Sequence, residues 1–425
     1  MMKTKATLFW ILLCSLFLIP QDLLGKIYKY STVEPIQGLE TIIDKLKGGD
    51  TLIIEPGEYS APEGITIRSS GEPGKPIIIK AKVKGKVKVN GGWGGIDCRG
   101  KNDCHPLLRI QGGYLRIEGL TLLNAKGYAI LINQQGHHIQ VIDNDIVGAG
   151  WDGIKTVCGS RDVDLINNRI VSPKEDGIDI FGTVGAKVLR NEIVSPEAYG
   201  MFAKGGARNI LFEGNRIFNP QQAGIFIGGL STHGLMCGDY ECTDCQAVNN
   251  LVVGAGAHGI FAYGCLNGLI ANNTIISANS RSGWGASLGA GQGSSPNTGN
   301  KKRGSMNIKI VNNIVTYPKK QAYLEVEQGS TTNLYCDYNL YFGLSKPRFD
   351  WDGKGRSWDE FKAIGQETHA ILRDPQFKDP AQGDYRLLPQ SPARGAGLPL
   401  DKMVEKDISS NIRPKMSKPS LGAFE

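Results

Sequence analysis

After residue 19 this sequence has no apolar run long enough to cross a bilayer, so a membrane-spanning protein is not expected. No companion histidine stands at finger spacing from Cys237, Cys242 and Cys245, which favours disulfides there over a zinc knuckle. The centre of the chain lacks a helical apolar period. It also lacks the leucine consensus that a leucine-rich horseshoe needs. The string GAGQG at 289–293 has no strand–turn–helix setting and is not a dinucleotide fingerprint. No Gly-His-Gly element is present, and none of the central repeats over residues 113–345 carries an Arg-x-Lys.

The N-terminus reads as an export signal. Lys3 and Lys5 precede an apolar stretch over residues 6–19, and residues 20–25 end it, so cleavage is expected near Gly25. Cys14 lacks the small residues that precede a lipidation cysteine. The mature chain is expected to be secreted or periplasmic, soluble and monomeric. Removing residues 1–25 takes away Lys3, Lys5 and Asp22, which turns a net charge of +7 into +6. That modest excess suits an acidic partner; no nucleic-acid partner is expected. Eight cysteines remain, and an even number in an exported chain favours disulfides, with Cys98–Cys104 the most plausible pair.

What is present is a period. Asn144, Asn168, Asn191, Asn215, Asn250, Asn273 and Asn313 recur at intervals of 24, 23, 24, 35, 23 and 40 residues, each two positions before a β-branched residue. A glycine followed by alternating apolar residues keeps the same beat: GYAIL at 127, GIKTV at 153, GIDIF at 177, GMFAK at 200, GIFIG at 224 and GIFAY at 259. Repeats of this length with strand alternation predict a right-handed parallel β-helix, all-β, with one repeat per coil. The Asn column predicts an inward amide ladder. The long intervals predict inserted loops at 229–247 and 278–304. Leu39, Ile42, Ile43 and Leu46 at helical spacing predict a short helix that plugs the open N-terminal end. Four parts follow: a signal at 1–25, a cap and first coils at 26–112, a central β-helix at 113–345 and a closing segment at 346–425.

GGDTLIIEPGEY at 48–59 and SGEPGKPIIIKA at 70–81 resemble the opening of pectate-lyase-like β-helix proteins. DPQFKDPAQGDYRLLPQSPARGAG at 374–397 and the final LGAFE resemble their closing segments. The resemblance spans nearly all of the mature chain and implies a fold more than an activity.

Strand alternation sends the residues one and three after each glycine inward. Those two and four after it then face out. The first outward column reads Ala129, Lys155, Asp179, Phe202, Phe226, Phe261, and the second Leu131, Val157, Phe181, Lys204, Gly228, Tyr263. Coils stack about 4.8 Å apart, so Asp152 lies under Asp176 and Lys155 under Asp179. Asp152, Glu175, Asp176 and Asp179 can converge on one hard cation. An all-oxygen set matches Ca²⁺ better than zinc. The bland alternative is a solvated acidic patch balanced by Lys155. Phe181, Phe202, Phe226, Phe261 and Tyr263 are candidates for contact with sugar rings. Lys155 and His258 are further candidate substrate contacts, although a structural role suits His258 as well.

YGMFAKGG at 199–206 resembles the segment around the catalytic lysine of family-9 polysaccharide lyases, and EDGIDIF at 175–181 resembles their calcium-binding segment. The resemblance implies that Asp152, Glu175, Asp176 and Asp179 hold calcium and that Lys204 is the base. Glu175 stands where that family has aspartate, and the distance from acidic segment to lysine is shorter here. The lysine–arginine pairing of other lyase β-helices has no counterpart, because Gly228 and Gly229 occupy the arginine's place. The implied reaction is calcium-dependent β-elimination on a uronate-containing acidic polysaccharide, fastest at alkaline pH because an ordinary lysine is protonated near neutrality. Two other classes remain open: a polygalacturonase-type glycosidase using paired carboxylates, and a non-catalytic carbohydrate-binding β-helix.

Overall fold

The protein is described here from a computed structural model covering residues 25–32, 36–95, 104–276, 286–295, 302–318, 322–400, 404–414 and 418–425. Residues 1–24 of the export signal, and Cys98 of the expected Cys98–Cys104 pair, lie outside this set. Among the described residues, no helix is long and apolar enough to cross a membrane.

The chain winds into a parallel β-helix of three long sheets. Each coil contributes one strand to each sheet, as in Arg161–Ile166, Arg169–Val171 and Ile178–Phe181. The next coil repeats the pattern one layer up with Val184–Leu189, Glu192–Val194 and Met201–Lys204. Alternation is kept throughout: Ile154, Ile178, Ile180, Met201, Ala203, Ile225, Ile227, Ile260 and Ala262 are fully buried in the tube. Burying one such aliphatic side chain contributes roughly 1.5–3 kcal/mol.

The predicted amide ladder forms. From Asn144 to Asn313, each side-chain Nδ2 and each backbone N–H donates to Oδ1 of the asparagine one coil on, at 2.8–3.1 Å. Asn339 is an eighth rung, which the sequence reading missed. The local cause is a one-residue turn. Asp143, Asn167, Arg190, Asn249, Asn272, Asn312 and Tyr338, each just before a rung, have φ between 54° and 59°. Asparagine tolerates this left-handed region better than most residues, which accounts for the Asn-Asn doublets.

The ladder ends on an acid. Glu367 is fully buried, and its Oε1 accepts from Nδ2 of Asn339 at 2.7 Å and from the Tyr341 hydroxyl at 2.6 Å. Burial outweighs these bonds and pushes its carboxyl from 4.5 up to about 7. The folded state therefore favours the neutral acid. Its penalty is absent below about pH 4.5, grows as pH rises, and is complete above pH 7. Glu367→Gln keeps an amide at the ladder's end. It should stabilise the protein by about 3 kcal/mol near pH 8 and by almost nothing near pH 4, read by urea unfolding. An equal shift at both pH values would contradict this.

The N-terminal helix is present at Ile36–Ile43, with Leu39, Ile43 and Leu46 buried. The inserted segments need correction. Within 229–247, Cys242–Thr243 and Gln246–Val248 are strands of the first sheet. Within 278–304, Leu288–Gly293 is a strand of the third sheet. The glycines that suggested a loop serve packing there: a Cβ on Gly289 would come within 2.3 Å of the Phe261 ring, and one on Gly291 within 2.5 Å of the Tyr263 ring.

Between described residues the cysteines pair as Cys158–Cys237 and Cys242–Cys245, and Cys104 is disulfide-bonded as well. Cys265 and Cys336 are buried free thiols, so the expectation of full pairing fails for them. Each sits in a fully buried position where it packs as a small apolar side chain.

Candidate functional site

The third sheet carries the site. Its register pairs Lys155 with Asp179 and Asp179 with Phe202, then continues through Phe226, Phe261, Gly289 and Glu325. Phe181 pairs with Lys204, and Gly228 with Tyr263. One coil differs from expectation. Ile130 pairs with Ile154, which puts Leu131, not Ala129, below Lys155. The inward Ile130 and Ile132 set that register, and the chain enters the strand two residues later than its glycine suggested.

The recurring glycines are required by close approach. A Cβ on Gly177 would lie 2.5 Å from the Gly200 carbonyl oxygen and 2.6 Å from Ile193. The acids before these glycines tie coils together. Asp152 Oδ1 accepts from the Asp176 N–H at 3.0 Å, and Asp176 Oδ1 accepts from the Tyr199 N–H at 3.1 Å. One oxygen of each carboxylate is thus structural, which leaves the other toward the outer face of the sheet.

Asp152, Asp176 and Asp179 converge, with one oxygen from each lying within 4.8 Å of the others. Glu175 is not in that group. It is half-buried and stands one position farther from the strand than Asp176, near enough to raise Asp152 and Tyr199 by its charge. The site is also deeper than a surface patch: Asp152, Asp176 and Asp179 are 1%, 3% and 1% exposed.

Two lysines enter from the outer face. Lys204 Nζ lies 3.1 Å from Asp179 Oδ2, 4.0 Å from Asp176 Oδ2 and 3.9 Å from the centre of the Phe202 ring. Lys155 pairs with Asp179 Oδ2 and lies 3.7 Å from Asp152 Oδ2. It also sits 5.5 Å from the centre of the Phe181 ring. Burial opposes the Lys155 ammonium, but Asp179 and Asp152 outweigh it and hold the group above its usual range.

Burial likewise opposes ionisation of Asp179, yet the two lysines keep it below the usual carboxylate value. Asp152 has one lysine, Lys155, which does not offset its burial. Burial, then the neighbouring carboxylates against Lys155, push it up to about 7. Asp176 is raised well above its ordinary value by burial and by Asp152 and Asp179.

This donor set fits a hard divalent cation. It offers three carboxylates at short mutual range, and Asp179 Oδ1 is buried without a hydrogen-bond partner. Two of the acids, Asp152 and Asp176, are raised by burial first and then by the charge of their neighbours. An added positive charge would relieve that.

The aromatic residues are more buried than a row of open ring faces would be. Phe202 and Phe226 are 5% and 6% exposed, and Phe261 is fully buried under Tyr263, with ring centres 4.7 Å apart. Phe202, Phe226, Tyr263 and His258 nevertheless line a cavity of about 650 Å³ that also includes Lys204. Phe181 and Phe261 do not line it. Burial drives His258 down to about 4, so it is neutral there, and its Nδ1 lies 3.2 Å from the Ala286 carbonyl oxygen.

Several residues were not found from sequence. Tyr128 stands beside Asp152 because of the shifted register. Tyr199, Gln221, Gln222 and Leu230 line the cavity. Glu241 is fully buried and accepts from the Gly205 N–H at 2.8 Å and from the Ser231 N–H and hydroxyl at 2.6 Å each. With Cys158–Cys237, and the Cys237 N–H on the Gly205 carbonyl at 2.8 Å, it clamps the inserted segment beside Lys204. Only Tyr199 carried a signal, as the residue before a recurring glycine.

These features define the class. The chain belongs to the right-handed β-helix family, which matches it over residues 87–236 and 128–315, together more than half its length. It is a pectate-lyase-like right-handed β-helix. An uncharacterized protein of Bacillus subtilis (strain 168), YwoF, is 23% identical over 443 aligned positions, covering 85% of this chain and 88% of that one. Among solved structures, pectate lyase Pel9A superposes with a TM-score of 0.56 at 16% identity, covering 95% of this chain and 96% of that one. The GH136 lacto-N-biosidase of Eubacterium ramulus gives 0.55 at 10% identity, covering 82% and 67%. At these identities the two structures share a fold with this protein. One acts as a polysaccharide lyase and the other as a glycoside hydrolase.

Proposed function

We propose that this protein is an exported, calcium-dependent lyase that cleaves a uronate-containing polysaccharide by β-elimination. The observation that carries the reading is the meeting of Asp152, Asp176 and Asp179 with Lys204 at one spot on the third sheet. The fold likeness to a pectate lyase supports it, and disulfides such as Cys158–Cys237 suit an exported chain.

Asp152, Asp176 and Asp179 would hold the calcium, and Glu175 would contribute charge from outside the ligand set. The ion would act as a Lewis acid on the substrate carboxylate and stabilise the charge that develops at C5. Lys204 takes the C5 proton. The electron pair left behind forms the C4–C5 double bond, the C4–oxygen bond breaks, and the departing oxygen gains a proton from solvent. Lys155 keeps Asp179 ionised and fixes its carboxylate.

A second reading has one observation in its favour. Asp176 is raised and Asp179 lowered, which is how a glycosidase separates its acid from its base. The same assay decides between them. Purified protein is screened against pectate, alginate and glycosaminoglycans with calcium and with chelator. The lyase reading expects ultraviolet absorbance from an unsaturated product that chelation removes. New reducing ends without that absorbance would select hydrolysis. Glycan binding with neither signal would select a non-catalytic role.

A further inference from the structure

The groove beyond Lys204 changes character, and this bears on which uronate polymer the proposed lyase would take. The cavity of about 650 Å³ there is walled by Phe202, Phe226 and Tyr263, with Leu230 on its rim. Lys204 is the one charged side chain among its described lining residues. Leu230 is 58% exposed, an open apolar side chain at the mouth of an apolar cavity. Gln221 and Gln222 supply neutral amides.

Farther along the same column the charge turns negative. Gly289 pairs with Glu325, which pairs with Asp350, and Glu327 lies against Gly291 and Tyr263. Burial, then Glu327 and Asp350, raise Glu325 to about 7 against the pull of Arg348.

A homopolymer of uronates would meet this surface badly. With one sugar's carboxylate at the aspartate–Lys204 cluster, the next carboxylate would enter the apolar cavity, where the described lining offers no cation beyond Lys204. Another would approach Glu325 and Glu327. Desolvating an unpaired carboxylate is costly, whereas a methyl or acetyl group gains from burial against Phe226 and Leu230.

The geometry points to a substrate in which the uronate at Lys204 is joined, on the cavity side, to an uncharged sugar bearing an apolar group: a 6-deoxy or N-acetylated sugar. The substrate is thus an alternating heteropolysaccharide rather than a homopolyuronate. This rests on the lyase reading for the uronate position alone; the cavity's preference is read by binding and not by turnover.

The test is calorimetric titration of the Lys204→Arg protein, which keeps a cation at that position without a base, in the presence of calcium. The probes are tetragalacturonate, tetramannuronate, a galacturonate–rhamnose tetrasaccharide and a glucuronate–N-acetylhexosamine tetrasaccharide. One alternating probe should bind at least about tenfold tighter than either homo-oligouronate. Phe226→Ala should erase that preference. Leu230→Lys changes an exposed residue, so its fold is secure, and it should reverse the preference toward the homo-oligouronates. Equal or tighter binding of a homo-oligouronate to the parent protein, no binding by any probe, or a Leu230→Lys protein with unchanged preference would overturn the inference. A preserved preference in a protein that produces no unsaturated product would remove the lyase reading and leave the cavity's specificity standing.

Discussion

Lys204→Ala is expected to lower the rate of elimination by about 10³-fold, within the range a positioned general base contributes. The expectation rests on position. Lys204 is the one lysine that both touches the carboxylate cluster and lines the open cavity, and its side chain is 19% exposed. Lys155 is sunk between Asp152 and Asp179 and is absent from the cavity lining. Two controls separate chemistry from structure. Lys204→Arg keeps the charge against Asp179 but cannot accept a proton at working pH, so it should be nearly as inactive as the alanine variant. A purely structural ion pair would tolerate arginine. Calcium affinity of Lys204→Ala, measured by calorimetry, should hold or increase, because a competing cation has left Asp179. Retained activity in Lys204→Arg would remove Lys204 from the role of base.

Asn215→Leu should destabilise the protein by about 4 kcal/mol, large for a single substitution. Asn215 is fully buried in the middle of the ladder. Its Oδ1 accepts from the Asn191 N–H at 2.9 Å and from Asn191 Nδ2 at 3.1 Å. Its Nδ2 donates to the Val188 carbonyl at 2.8 Å and to Asn250 Oδ1 at 2.9 Å. Leucine fills a similar volume but leaves these partners buried and unsatisfied, each costing about 1–3 kcal/mol before relaxation. In a stacked array the loss falls on two interfaces at once. Urea unfolding measures it. A change under about 1 kcal/mol would mean that the ladder is not a main source of coil-to-coil cohesion.

The site was legible because the fold is periodic. Once Asn144 through Asn313 set the coils, the glycines at 153, 177 and 200 fixed the strand register. That was enough to bring Asp152, Asp176, Asp179, Lys155 and Lys204 together. The likeness of YGMFAKGG and EDGIDIF to lyase segments then suggested roles.

What escaped was whatever the period does not govern. Glu175 is next to Asp176 in sequence, yet a one-residue offset takes it out of the cluster. Leu131 and Tyr128 were misplaced because their coil starts its strand two residues later after its glycine, Gly127, than the other coils do. Leu288–Gly293 read as a loop, since glycine that makes room for Phe261 and Tyr263 cannot be told by sequence from glycine in a turn. Cys158 is 79 residues from Cys237, and Glu241 reaches Gly205 across an insertion. Neither distance leaves a local pattern. The depth of Phe261 depends on what covers it, which alternation alone does not give.

The most direct test of elimination at this site is mass spectrometry of the fragments from a defined uronate-containing oligosaccharide. The account predicts two fragments whose masses sum to that of the substrate, one of them carrying a C4–C5 double bond. Two saturated fragments whose masses sum to the substrate plus one water would contradict it and give the aspartates a hydrolase's acid and base roles.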